Sequence, residues 1–271
     1  MLLLMQSALS PPVWRSLLFS WDGWLLTLAL VVLEPAYGCF LYRVMPDPTP
    51  RRTKLLLYAS IIFSEWLLVV LTLLVLRRHG LSSADLGQRL GIPWLTLAVT
   101  ILLLTAIAVF SIVNLRQLGR ARPEQLAAAV HRVQKLLPVC GLEQATFALV
   151  AVTAGICEEL LYRGWLVRFL GAGSGSIWAG VIVAGAVFGI AHAYQGPKGM
   201  LLTGVLGTGF GVLFVLMGSL VPGQILHTAI DLLNGIVAGS IVSRLRAEAA
   251  TAGRAALPSL REASAEPASP K

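Results

Sequence analysis

The sequence predicts an all-α fold: a polytopic transmembrane helical bundle of about seven to eight spans with an amphipathic helix on its surface. Three observations predict it. Of 271 residues, 56% are hydrophobic and 13% charged, and the mean hydropathy of +0.79 means more apolar surface than a soluble globule of this size can bury. Apolar runs of about 20 residues recur along the chain, the length a helix needs to cross ~30 Å of hydrocarbon. Strand-like alternation is absent, which argues against the closed barrel, the other structure that satisfies its backbone within lipid.

The first span is expected at about Trp24 to Val44, with Trp21 and Trp24 as interfacial anchors. It contains Glu34 before Pro35, where a kink is predicted; Glu34 either lines a polar cavity or caps the break. Before it, Met1 to Met5 lacks the basic start of a secretory signal and Pro11-Pro12 follows, so the stretch reads as a short amphipathic lead-in. A proline-rich basic linker leads to the second span, Leu55 to Leu76, with Glu65 beside Trp66 near its middle. Arg77-Arg78-His79-Gly80 ends that span, and Ser82 to Gly87 reads as a short capped helix. The third span, Trp94 to Leu115, is almost purely apolar, and Arg116 to Leu137, with Pro123 as helix opener, reads as the surface amphipathic helix.

The fourth span, Ala145 to Leu170, carries Glu158, Glu159 and Arg163. The turn at Gly171 to Ser176 lacks the lysine that a phosphate loop requires. The fifth, Ile177 to Tyr194, contains Phe188 and His192; the sixth, Met200 to Met217, has glycines at 204, 207, 209 and 211 that allow close helix approach. The seventh, Leu220 to Ser243, carries His227, Asp231 and Asn234, and the polar chain beyond Arg244 is expected to be disordered. The sequence therefore divides into N-terminal spans with the amphipathic segment (1–141), a transmembrane core that carries the late acids and histidines (142–243) and a tail (244–271).

The net charge of +8 sits in short basic clusters beside apolar runs, which the positive-inside effect explains, so nucleic acid is not an expected partner. Seven spans put the clusters at residues 43–54, 116–135 and 244–246 on one face, expected to be cytoplasmic along with the C-terminus; Arg77, Arg78 and Arg89 fall on the other side. Cys39, Cys140 and Cys157 are odd in number and lack metal spacing, so neither a disulfide framework nor a thiolate zinc site is predicted.

An ionised side chain at membrane depth costs several kcal/mol unless paired or hydrated, so intramembrane acids mark candidate function. Glu159 and Arg163 lie one helical turn apart and can neutralise each other, leaving Glu158 for chemistry, with Tyr162 on the neighbouring edge. The bland alternative is a structural ion-pair network. His227 and Asp231 share a helix face that Asn234 also reaches. Glu158, His192, His227 and Asp231 together form a set able to activate water.

Glu-Glu-x-x-x-Arg at 158–163, Phe-x-x-x-His at 188–192 and His-x-x-x-Asp at 227–231, in this order on hydrophobic helices, resemble the motifs of the type II CAAX prenyl endopeptidase and bacteriocin-processing (CPBP) family of intramembrane proteases. The resemblance covers residues 142–243; the first half matches no motif of it. It implies that Glu158 is the general base that polarises water with His192, that His227 and the residue at 231 stabilise the oxyanion, and that Glu159 and Arg163 hold the site's shape, with Tyr162, Phe188 and Asn234 in support. One departure is Asp231, where the prenyl-protein enzymes often carry asparagine; an ionised aspartate cannot donate, so it must be protonated, orient His227, or bind a positive group. The last option is the metal alternative, with Zn²⁺ held by Glu158, His192, His227 and Asp231. No cofactor is required by the favoured glutamate mechanism, since the His-Glu-x-x-His helix of zinc peptidases is absent.

The expected substrate is a membrane protein or peptide in the bilayer of a bacterial inner membrane, and peptide leaders or C-terminal sorting tails fit as well as prenylated ends. No Gly-x-Ser-Gly or Gly-x-Gly-Asp motif is present, which disfavours serine and aspartyl intramembrane proteases. The competing class is a non-enzymatic immunity or scaffold protein, or a proton-coupled carrier, using the same polar cavity.

Overall fold

In hydrocarbon a helix satisfies its own backbone donors and acceptors, and the apolar runs fold accordingly. A computed structural model describes residues 12–47, 49–118 and 120–263, and the lead-in expected at residues 1–11 lies outside these. Among the described residues there is no strand. Helix α1 (Pro12–Leu17) precedes α2 (Trp21–Val44), α3 (Arg51–Arg78), α4 (Pro93–Leu118) and the short α5 (Pro123–Val130). Then follow α6 (Gly141–Ser174), α7 (Ile177–Ala191), α8 (Gly196–Met217) and α9 (Val221–Ala263).

Six helices among the described residues are long and apolar enough to cross a membrane, and the protein is an integral membrane protein. The fifth predicted span, α7, has 15 residues, about 22 Å at 1.5 Å per residue, and ends before His192 rather than at Tyr194. Pro35 produces no sharp break. A π-helical turn over Ala29–Leu33 precedes it, closed by the Glu34 N–H on the Ala29 carbonyl, and it takes up the irregularity that proline imposes. The expected amphipathic helix at 116–137 resolves into the end of α4, α5 and a run of turns, with Pro123 opening α5. The tail is helical through Ala263, where composition predicted disorder; alanine, glutamate and arginine are strong helix formers, and they continue the turns begun in the membrane. Residues 264–271 lie outside the described residues.

α6 is the axis of the bundle: 56% of its most apolar window is buried, against 11% for α4, which faces outward. α6 packs against α3 and α9, and α7 pairs with α8. Without a hydrophobic drive between helices in lipid, close approach at small residues supplies the packing. A Cβ on Gly155 of α6 would stand 2.1 Å from Thr228 Oγ1 on α9 and 2.9 Å from the Thr228 nitrogen. On α8, Gly204, Gly207 and Gly211 meet α7, as their spacing predicts, whereas Gly209 meets nothing.

The basic clusters gather at one end. Lys135 Nζ donates to the Met45 carbonyl (2.8 Å), Lys54 Nζ donates to the Leu137 carbonyl (2.8 Å) and Ser243 Oγ donates to the Val139 carbonyl (3.2 Å). At the other end Asp22 meets His79 (3.2 Å), and Arg89 Nε donates to the Gly218 carbonyl (3.0 Å).

Gly155→Ala is expected to destabilise the fold by about 1–3 kcal/mol, because backbone as well as side chain must move. Gly209→Ala is the neutral control. Thermal unfolding of the purified protein in detergent reads both.

Candidate active site

The site is built where α6 meets α9. Directly after Glu158, α6 widens into a π-helical segment, Glu159–Leu166, closed by the Val167 N–H on the Tyr162 carbonyl. Adjacent residues on an α-helix diverge by ~100°, yet both glutamates here reach one imidazole on α9. Glu159 Oε1 lies 3.0 Å from His227 Nδ1, and Glu158 Oε2 lies 3.5 Å from His227 Nε2. Asp231, one turn further along α9, brings Oδ2 to 3.6 Å from the same Nε2. One histidine thus has a carboxyl group against each ring nitrogen.

Glu159 is held from the other side by Arg163, whose Nη1 is 3.0 Å from the same Oε1, with both residues 1% exposed. The Arg163 guanidinium lies over two aromatic faces, 4.2 Å from the Phe188 centroid and 5.5 Å from that of Phe210, contacts that favour a desolvated cation. Room for the Glu159 carboxylate comes from Gly223, four residues before His227: a Cβ there would stand 2.9 Å from Oε2.

His192 follows the last turn of α7. Its Nδ1 is 2.9 Å from the Phe188 carbonyl; a carbonyl only accepts, so Nδ1 carries the proton and Nε2 is left for other partners. The Phe188 ring stands 4.7 Å from His192 and 5.9 Å from His227, a spacer between them. The Tyr162 hydroxyl donates to Glu34 Oε2 at 2.7 Å and ties α2 to α6.

These groups border a cavity of about 430 Å³ that runs from the basic end, under residues 133–137, into the middle of the bundle. Glu158, His192, Asp231 and Asn234 are on its wall together with Glu34 and Glu65, whereas His227 is set back and reaches the cavity through Glu158 and Asp231. Of the two alternatives for Glu34, cavity lining is the one realised. Phe210 and Gly223 belong to the site and were not singled out by the sequence; the i, i+4 relation of Gly223 to His227 was the available signal for the second. The buried Lys54–Glu143 pair at 2.9 Å, at the basic end near the cavity, had no signal in the sequence.

The zinc alternative asks for at least three ligands around one point. Among the described residues no three His, Cys, Asp or Glu groups gather in that way, and Nδ1 of His227 is engaged by Glu159.

Residues 142–233 match the family model described as Rce1-like, type II CAAX prenyl endopeptidase. No curated protein and no solved structure matches the chain. The match begins one residue into α6 and ends two residues after Asp231, so all three motifs fall inside it.

Arg163→Met is expected to cost about 3–5 kcal/mol of stability, because it strands the buried Glu159 carboxylate. A lowered unfolding midpoint in detergent reads this, and an unchanged midpoint contradicts it.

Proposed function

We propose that this membrane protein hydrolyses a peptide bond of a membrane-associated protein or peptide, with a water activated by Glu158 and His192; the match of residues 142–233 to the Rce1-like type II CAAX prenyl endopeptidase family model supports this reading. The observation that carries the reading is an acid and an imidazole, from α6 and the end of α7, on the wall of one cavity inside the bundle. In the reaction Glu158 takes a proton from water as its oxygen bonds to the substrate carbonyl carbon, and His192 Nε2 holds that water. Negative charge develops on the carbonyl oxygen, and His227, whose Nε2 faces Glu158 and Asp231, stabilises it electrostatically from behind them. The carbon–nitrogen bond then breaks, and the proton held by Glu158 passes to the leaving amine.

Asp231 takes the orienting role. It lies one turn from His227 with its Oδ2 towards Nε2, which suits an acceptor that fixes the imidazole better than a donor to the oxyanion. Glu159 fixes the ring from the Nδ1 side, and Arg163 fixes Glu159. The gathering of basic clusters at one end supports a cytoplasmic placement of that end and of the C-terminal helix, in a bacterial inner membrane. Substrates of the leader-peptide or sorting-tail kind reach the cavity from that end.

A second reading is a proton-coupled carrier, favoured by the four carboxyl groups that share the cavity wall, Glu34, Glu65, Glu158 and Asp231. The discriminating experiment compares terminal peptide maps of membrane proteins from cells with wild type and with Glu158→Ala, His192→Ala and His227→Ala variants. Each folded, inserted variant is expected to lose processing of a defined membrane protein, with a rate loss of about 10²–10⁴-fold for Glu158→Ala and about 10²–10³-fold for His227→Ala. Unchanged termini in all three overturn the protease reading. The purified enzyme is expected to keep its activity in chelator; stoichiometric zinc with loss of activity on its removal overturns the glutamate mechanism.

A further inference from the structure

Among the described residues the cavity wall carries four carboxyl groups and no lysine or arginine. Glu34 accepts from Tyr162, and Glu158 and Asp231 lie within ion-pair distance of His227, although Glu158 Oε2 makes no hydrogen bond. Glu65 has neither a hydrogen bond nor an ion pair among the described residues. It lies on α3 at 6% exposure, its Oε2 is buried without a hydrogen-bond partner, and it is on the cavity wall. Its neighbours offer no relief, since Ser64 Oγ donates to the Ile61 carbonyl and Trp66 Nε1 donates to Thr153 Oγ1.

A buried carboxyl group that makes no hydrogen bond is costly to keep, and a chain that retains one beside an open cavity offers an acceptor to whatever enters. An ammonium supplies three donors and a guanidinium five, with the charge an acidic wall lacks. The cavity volume falls within the range of small-ligand sites. We propose that Glu65, assisted by Glu34, forms a subsite that takes a lysine or arginine side chain of the substrate peptide. The assignment rests on the protease reading of the same cavity and names the substrate class: apolar, membrane-associated peptides with a basic residue near the cleaved bond.

The test uses the purified full chain in detergent and fluorescent apolar peptides in which a single lysine is moved along the sequence, each with an acetyl-lysine counterpart. Binding is read by anisotropy, and cleavage is read in parallel by mass spectrometry. At one or more positions lysine is expected to bind at least about tenfold more tightly than acetyl-lysine. Glu65→Gln is expected to bring that ratio close to one while leaving the unfolding midpoint intact, and Glu34→Gln to reduce it in part. The proposal is overturned if wild type shows no lysine preference at any position, in which case Glu65 is a neutral buried acid, or if the preference survives Glu65→Gln. Lysine-selective binding without cutting sinks the protease reading and leaves the subsite standing; cutting without lysine preference does the reverse.

Discussion

A single carboxylate holds the interior of this bundle together. Glu159 takes the Arg163 guanidinium and the His227 imidazole on one oxygen, at 3.0 Å each, and all three side chains are buried. Each partner is required by the others. Without Arg163 the carboxylate is an unpaired charge in a low dielectric, without His227 the α6–α9 contact loses its polar anchor, and without Glu159 an arginine is stranded between aromatic rings. The free edge of the imidazole is directed by this arrangement towards Glu158 and Asp231, so the orientation of the proposed chemistry follows from a charge-neutralisation problem that the membrane imposes.

The backbone makes that arrangement reachable. Gly155 lets α9 approach α6 to within backbone contact, Gly223 vacates the volume that the Glu159 carboxylate occupies, and the π-helical segment from residue 159 turns two adjacent glutamates towards one neighbour. A second π-helical turn stands before Glu34 on α2. Both irregular turns adjoin cavity acids, in keeping with the frequent occurrence of such turns at functional sites. The cavity lies beside the same packing: α6 and α9 touch closely at Gly155, while α2, α3 and the 133–137 segment, hydrogen-bonded to one another at the basic end, border the opening.

Much of this was legible in the sequence, for reasons specific to membranes. Apolar run length fixes span positions because lipid leaves few alternatives, and the i, i+4 pairs Glu159–Arg163 and His227–Asp231 follow from helix geometry alone. What could not be read was contact between distant segments. The sequence paired Glu159 with Arg163 but did not anticipate that His227 would share the same oxygen, since that depends on the crossing of α6 and α9. It also placed His227 with His192 at the reaction centre, whereas one is set back and the other is on the wall. Glu34 and Glu65 were visible as costly residues, but their convergence on the cavity depends on how α2 and α3 lean against α6. The continuation of α9 beyond the membrane was misread because a polar composition signals solvation, and an alanine-rich segment can be solvated and helical together.

Glu159 and His227, 68 residues apart in the chain, are bonded to one another inside the bundle. A double-mutant cycle on the unfolding free energy, using Glu159→Gln, His227→Gln and the double variant, measures that contact without reference to any substrate. The account predicts a coupling of about 1.5–3 kcal/mol, the range for a hydrogen bond to a charged group. Single-variant effects that add to within about 0.5 kcal/mol would contradict it, since the two side chains would then be independent and the architecture of the site described above would have no anchor.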